Sequence, residues 1–418
     1  MKYDIKNLKL AEAGLKKIRW AAQEMPVLGA MTELFRKTKP FRNLRIGACL
    51  HVSTETANLL RALKAGGARV FLCASNPLST KDDVCAALVA YEKIPVFAKA
   101  GVSRKTFYAH LNSVLQAKPE VIIDDGADLI GLLHTSHVRQ AKRILGACEE
   151  TTTGVNRLKS LSKAGKLLFP VVAVNDAQIK HLFDNRYGTG QSAIDGILRA
   201  TNFMLAGKKF VVAGYGWVGR GVASRASGMG AEVIVTEINP IRAIEARMDG
   251  YSVMTMNEAS KIGDIFVTAT GNINVIGGRH FSQMKNGAIL SNVGHFNVEV
   301  NIGELEKLAK KKEQVRREVT AYQLSKDKTL FLLSEGRLVN LAAAEGHPAS
   351  IMDLSFAAQA KAVEFIIKNR RKLKKQIYTL PPSVDQEIAS LKLKSFGIEI
   401  DKPGKEQEAY MSGWETGT

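Results

Sequence analysis

Lys208–Gly219 reads KKFVVAGYGWVG: two lysines, an apolar run of β-formers, then Gly214, Gly216 and Gly219 in G-x-G-x-x-G spacing. A second apolar run, Ala231–Glu237 (AEVIVTE), ends on a carboxylate 23 residues after Gly214. Strand, glycine turn, helix and acidic strand end in this order form the fingerprint of a dinucleotide-binding βαβ unit. Each glycine has its own task. Gly214 permits the strand-to-helix turn, Gly216 lets main-chain amides approach a pyrophosphate, and Gly219 lets the helix lie close to the strand with its positive end toward the phosphates. Glu237 stands where a carboxylate accepts from a ribose 2′-hydroxyl and repels a 2′-phosphate, which favours NAD over NADP. Arg242, five residues on, is the feature that leaves NADP open.

Working outward, strand and helix patterns alternate on both sides. LRIGACLHV (from Leu44), ARVFLCASN (from Ala68), IPVFAKA (from Ile94), PEVIIDDGAD (from Pro119) and LLFPVVAVND (from Leu167) read as strands. STETANLLRALKAGG, capped by Ser53, DDVCAALVAYEK and Thr106–Gln116 read as helices between them, and a helix from about Ser192 to Ala206 leads into the glycine turn. Downstream, IEARMDG, DIFVTATGN, GAILSNVGHF, TLFLLSEG and GRLVNLAAAEGHP continue the pattern. A long helix follows from Met352 and is broken at Pro381–Pro382. Such alternation predicts an α/β fold with doubly wound parallel sheets. A dinucleotide unit in the middle of the chain predicts two of them. The expected division is a discontinuous substrate domain (1–184 and 348–388), a Rossmann NAD domain (185–347) and a C-terminal oligomerisation segment (389–418).

The 418 residues are too many for one core and fit two or three domains. Cys49, Cys73, Cys85 and Cys148 have neither CxxC pairing nor histidines at metal-ligand spacing, so a reduced, cytoplasmic protein without a metal is expected. No apolar run reaches membrane-spanning length, and MKYDIKNLKL lacks an apolar signal core. The formal charge of +19 concentrates in two helical-looking stretches, KLAKKKEQVRREV from Lys307 and KNRRKLKK from Lys368. Without aromatic interleaving or a nucleic-acid module, these read as solvated faces rather than as a polyanion site.

Polar clusters gather at the strand ends. They are His51, Ser53 and Glu55 in CLHVSTETA; Asp124, Asp125 and Asp128 in IIDDGAD; and Glu149, Glu150 and Thr151, Thr152 and Thr153 in CEETTTG. Asn175, Asp176, Lys180, Asp184 and Asn185 follow in VNDAQIKHLFDNRYGTGQS; then come Val293, Gly294 and His295 in NVGHF, and Glu345 and His347 in AEGHP. Singly, each has a plain explanation: Asp-Asp-Gly is a turn, the threonines could cap a helix, and Lys180 with Asp184 is an i,i+4 pair.

Taken together with ASNPLSTKDD, ATGN (ending at Asn272) and EGRLVNLAAAEGHP (containing Asn340), and in this order and spacing, the blocks resemble the S-adenosyl-L-homocysteine hydrolase family from about Leu8 onward. The resemblance reconciles a dinucleotide site with a hydrolase. It implies that bound NAD oxidises the ribose 3′-hydroxyl to a ketone, which acidifies the C4′ hydrogen. Homocysteine then leaves C5′, water adds, and the ketone is reduced again. One NAD per subunit is recycled with no net redox change.

Residue by residue, the resemblance implies that Lys180 lies beside the 3′-hydroxyl as a desolvated lysine of lowered pKa, and that Asp125 transfers the C4′ proton. Glu150 and Asp184 hold the ribose hydroxyls and tune Lys180. His51 and His295 line the reaction site, and Ser53, Glu55 and His347 contact the nucleoside. Thr151, Thr152, Thr153, Asn185, Gly214, Gly216, Trp217, Val218, Gly219, Arg220, Gly221, Glu237, Arg242, Asn272, Val293, Gly294, His295, Asn340 and His347 hold NAD. His347 also marks the hinge of a domain closure that excludes water.

Five positions depart from the family pattern: Lys81, Thr189, Arg242, Asn297 and Glu345 stand where many relatives carry Gln, Cys, Asn, Asp and an apolar residue. The ending SGWETGT lacks the Lys- and Tyr-bearing extension of many relatives. This resembles the shorter archaeal and thermophilic branch and bears on cofactor affinity, on adenine against hypoxanthine as base, and on tail exchange between subunits. A homo-oligomer is implied, a tetramer built from dimers or a dimer, acting on a small molecule without membrane or nucleic acid. The competing readings are an S-inosyl-L-homocysteine hydrolase, a net NAD-dependent 2-hydroxyacid dehydrogenase and a basic scaffold. The dehydrogenase would leave EETTTG and FDN unexplained.

Overall fold

A computed structural model describes residues 2–414; the last four residues of the SGWETGT ending lie outside them. Among the described residues, fifteen strands form two sheets. The first contains β1 (Arg45–Leu50), β2 (Arg69–Ala74), β3 (Val96–Phe97), β4 (Val121–Asp124), β5 (Gly146–Glu149) and β6 (Val171–Ala173). The second contains β7 (Lys209–Ala213), β8 (Glu232–Thr236), β9 (Ser252–Val253), β10 (Ile265–Thr268), β11 (Ile289–Asn292), β12 (Lys311–Arg316), β13 (Val319–Ser325) and β14 (Lys328–Leu333). A late strand, β15 (Ile377–Tyr378), returns to the first sheet beside β6.

The first sheet is ordered β15-β6-β5-β4-β1-β2-β3 and is parallel throughout. The second is ordered β12-β13-β14-β11-β10-β7-β8-β9 and is parallel apart from the β12–β13–β14 meander. Chain direction across the first sheet reverses between β1 and β4, and across the second between β7 and β10. Crevices at the carboxyl ends of such strands are where open α/β sheets bind ligands. The central strands β1, β4, β7 and β10 are predominantly apolar and buried, as parallel strands sandwiched between helices require. The helix Ala349–Asn369 contributes Phe356, Ala360, Val363 and Ile366 to the core of the first sheet.

Several sequence expectations shift. The stretch from Lys307 is helical only to Leu308; Lys311–Arg316 is the exposed edge strand β12, paired antiparallel with β13. A cluster of charge carries no period, so nothing in it distinguished a polar helix from a charged edge strand, and charge on an edge strand discourages further pairing. The second basic run leaves the helix at Asn369. The helix before the glycine turn spans Thr189–Thr201, ending where Asn202 adopts a left-handed conformation (φ 54°). Ahead of it His181–Gly188 forms a π-helical turn.

Candidate active site

One cavity of about 890 Å³ opens between the carboxyl ends of both sheets. It takes His51 from the end of β1, Asp125 from the end of β4, Glu150 from the end of β5, the glycine turn after β7 and Ala269–Asn272 after β10. Both topological switch points therefore feed a single site.

Lys180 sits at its centre, buried, at the end of the short helix Gln178–Lys180. The widened π turn that follows brings the fourth and fifth residues after it to the same side. Lys180 Nζ lies 3.1 Å from Asp184 Oδ1, donates to Asn185 Oδ1 at 2.8 Å and lies 3.6 Å from Glu150 Oε1. Asp184 also faces His347 Nδ1 at 3.1 Å and accepts from Ser355 Oγ at 2.7 Å. Glu150 accepts from Gln359 Nε2. Ser355 and Gln359, one turn apart on the helix Ala349–Asn369, were not anticipated; their signal was two polar residues inside an apolar helix.

These contacts decide charge. Burial would lower the lysine, but Asp184, Glu150 and Asp125 together raise Lys180 above its ordinary value, which reverses the expected lowering. Burial lifts Glu150 to about 8, against the pull of Lys180, with Asp184 and Asp125 adding to the rise. Asp184 is buried too, yet Lys180 and His347 hold it well below the carboxylate range. Burial raises Asp125 despite His295 and Lys180.

Two imidazoles flank Asp125. His51 Nε2 is 3.4 Å from Asp125 Oδ2 and its Nδ1 is 2.5 Å from Ser79 Oγ; His295 Nδ1 is 4.0 Å from Asp125 Oδ1. Burial lowers both histidines to about 4, with the other cations nearby adding to it, so both are neutral at pH 7. Their donor atoms and the carboxylate lie within 4.8 Å of one another, a spacing that suits a proton relay and is also compatible with a metal ion.

At the cofactor end Gly214 has φ +95°. A Cβ at Gly219 would sit 1.9 Å from Gly214 O, whereas one at Gly216 meets nothing closer than Arg242 Nη1 at 3.8 Å. That is the arrangement a dinucleotide needs: close helix–strand packing below and an open floor above. Glu237 accepts from the amides of Tyr215, Ile238 and Asn239, and shares the cavity wall with Arg242. Asn292, buried, accepts from Thr268 Oγ1 and the Gly294 amide and donates to the Gly294, Phe296 and Gly336 carbonyls, fixing the NVGHF loop. Glu299 does the same for ATGN by accepting from the Thr270 and Gly271 amides. Asn340 Oδ1 is buried without a hydrogen-bond partner, which leaves it free to accept from a bound group.

Thr151, Thr152, Thr153, Asn185, Trp217, Val218, Asn272, Val293, Gly294, His295, Asn340 and His347 all line the cavity. Gly219, Arg220 and Gly221 do not. Arg220 turns away to pair with Glu245 and cover Trp217, and a Cβ at Gly221 would strike Arg186 O at 1.9 Å, so these residues pack the helix. Ser53 caps the helix Thr54–Ala65, and Glu55 lines the cavity, as do the apolar Leu50, Leu341, Met352 and Phe356. His347 Nε2 lies 3.0 Å from Thr189 Oγ1, and Lys81 lies 3.3 Å from Glu345, so three of the five departures make contacts beside the site.

A dinucleotide turn and a buried lysine–carboxylate centre in one cavity point to an NAD-dependent enzyme. The comparisons with known proteins make this specific. Residues 2–143 match the S-adenosyl-L-homocysteine hydrolase family model, and residues 185–346 match the model of that family's NAD-binding domain. The chain is 59% identical over 418 residues to the adenosylhomocysteinase of Aquifex aeolicus, with all of both chains covered. It is 55% identical, again with full coverage of both, to the S-inosyl-L-homocysteine hydrolase of Methanocaldococcus jannaschii and to the adenosylhomocysteinase of Saccharolobus solfataricus. The chain belongs to the S-adenosyl-L-homocysteine hydrolase family.

Proposed function

We propose that the protein hydrolyses S-adenosyl-L-homocysteine reversibly to adenosine and L-homocysteine. The observation that carries this reading is the single cavity in which the glycine turn meets Lys180, Glu150, Asp184 and Asp125. NAD, when bound, supplies the oxidising equivalent at the ribose 3′ carbon and takes it back at the end of the cycle.

The side chains have distinct roles. Glu150 and Asp184 hold the ribose hydroxyls, and Glu150 Oε1, buried without a hydrogen-bond partner, is an acceptor for one of them. Lys180 is charged at rest and Glu150 keeps its proton at neutral pH, so Lys180 takes the 3′-hydroxyl proton only after releasing its own to solvent, while Glu150 holds the hydroxyl by hydrogen bonding. Asp125, raised by burial, takes the C4′ proton. Neutral His51, aligned by Ser79, lines the side where sulfur leaves and water enters, and neutral His295 lies near the ribose. The apolar lining residues Leu50, Leu341, Met352 and Phe356 are assigned to the base, with Glu55 as its polar contact. Glu237 and the glycine turn hold the adenosine half of NAD, and Thr151–Thr153, Asn185 and Asn340 the nicotinamide half.

Incubating the NAD-loaded protein with adenosyl and inosyl thioethers and following free thiol tests the reading. Thiol release from the adenosyl form without net loss of NAD is expected. Preferential cleavage of the inosyl form would transfer the activity to that base, the reading favoured by the Methanocaldococcus relative's name. Stoichiometric accumulation of reduced cofactor would replace hydrolysis by a net dehydrogenase.

The division into residues 1–184 with 348–388, 185–347 and 389–418 is proposed with it. A homo-oligomer, tetramer or dimer, is supported by exposed Phe396, Ile400, Tyr410, Met411 and Trp414 near the end of the chain. A cytoplasmic location is supported by four buried, unpaired cysteines. No described helix is long and apolar enough to cross a membrane.

A further inference from the structure

Each acidic pair at the first sheet's edge is split. Asp125 and Glu150 face the cavity, whereas Asp124 and Glu149, one residue earlier, are completely buried beneath it. Asp124 and Glu149 are register partners at the ends of β4 and β5. Apart from the Cys49 thiol at Asp124, their oxygens accept from main-chain N–H groups. The Gly126 and Thr151 amides donate to Glu149 Oε1 at 2.8 and 3.1 Å, and the Ala127 amide donates to Oε2 at 2.9 Å. Asp124 accepts from the Asp125 amide at 3.1 Å and the Ile130 amide at 2.8 Å.

The turn so held is unusual. Gly126 has φ +112°, and Ala127 is left-handed at φ +60° although it is not glycine. A strained non-glycine residue persists only where surrounding contacts over-determine it. Here the contacts are Glu149 below and the Arg157 guanidinium, which donates to the Gly126 carbonyl and to Asp128, above. His295 packs directly on Gly126, its Nε2 2.5 Å from where a Cβ would stand. Glu149 itself needs Gly154, whose Cβ would fall 2.2 Å from Glu149 Oε1.

We propose that Glu149 is a positioning residue that locks the Asp125 turn to the Thr151 loop, with Asp124 as its partner on the Asp125 side alone. One carboxylate thus holds in a common frame the group that takes the C4′ proton and the threonines that face the cofactor. A displacement of about 1 Å at such a group costs on the order of 100-fold in rate.

The proposal rests on the thioether-hydrolase reading, and its test separates two half-steps in the NAD-loaded enzyme. With adenosine in D2O, formation of reduced cofactor reports 3′-oxidation, and deuterium entering C4′ reports Asp125. Glu149→Gln turns an amide N–H toward donors. Gly154→Ala displaces the carboxylate without altering its charge. Both are expected to lower C4′ exchange per reduced cofactor by at least about tenfold and to weaken NAD retention. Asp124→Asn is expected to lower the exchange ratio with NAD retention unchanged. A residue that merely stabilised the fold would lower the melting temperature and leave the ratio at the wild-type value, so a wild-type ratio in the folded variants overturns the proposal. If Glu149→Gln does not fold, the ratios in Gly154→Ala and Asp124→Asn decide. Wild-type enzyme lacking both half-steps would instead overturn the reading on which the proposal rests.

Discussion

Asp184→Asn should be among the most damaging single substitutions in the molecule. Asp184 is buried and faces Lys180 Nζ, His347 Nδ1 and Ser355 Oγ at 3.1, 3.1 and 2.7 Å. Asparagine keeps the shape and one acceptor but removes the charge, leaving buried Lys180 with Glu150 at 3.6 Å, which ionises more readily once the Asp184 charge no longer raises it. Breaking a buried pair from one side costs about 3–5 kcal/mol. Because Glu150 stays, the lower end, about 3 kcal/mol, is expected. The sign with pH follows from the depressed Asp184 pKa. Its contribution is complete above the unfolded carboxylate value of about 4 and is lost as pH falls through the lower folded value. Urea unfolding of wild type and variant should therefore differ by about 3 kcal/mol at pH 7 and converge only well below about pH 4. Loss of Asp184 also removes the first of the three carboxylates that raise Lys180, so the residual activity should shift to lower pH. A stability change under about 1 kcal/mol at pH 7, the worth of an exposed ion pair, would refute the argument.

Three further outcomes can be checked. Lys180→Ala should lower thiol release by about 10²- to 10⁴-fold while bound NAD, quantified after denaturing the protein, stays at the wild-type level. Gly216→Ala and Gly219→Ala should separate two roles. The first adds a methyl where nothing lies within 3.4 Å, so the melting temperature should hold and NAD retention fall. The second forces a methyl to 1.9 Å from Gly214 O, costing about 1–3 kcal/mol. The pH profile of thiol release should fall on the acid side near pH 4, where His51 and His295 gain charge, and break on the alkaline side near pH 8, where Glu150 loses its proton. The alkaline break should vanish in Glu150→Gln, measured on the activity that remains.

The glycine turn and the polar strand ends were legible because turn chemistry and apolar runs are local. The split within each acidic pair was not: Asp124 and Asp125 look alike until the strand end decides which points inward and which faces the cavity. The charge of Lys180 was misjudged for a related reason. Burial is local and argues for a neutral amine, but three carboxylates arrive from β4, β5 and the turn after Lys180, and their sum needs the fold. Ser355 and Gln359 lie about 170 and 210 residues from the acids they serve, a separation no window of sequence spans. The β12 segment looks helical in sequence because its charges carry no period that would mark a strand.

The wide turn at His181–Gly188 can be regarded as an α-helix carrying one residue too many. Removing that residue would relax the backbone to ordinary α-helical geometry and make the segment locally more regular. Lys180 would then keep its fourth neighbour and lose its fifth. Asn185, which ties the lysine to Asn175 and Thr152 on the cofactor side, would rotate out of reach. Chain length is therefore as tightly constrained in this segment as Asp184 and Asn185 are: one deletion would misplace a ligand of Lys180 without changing any side chain.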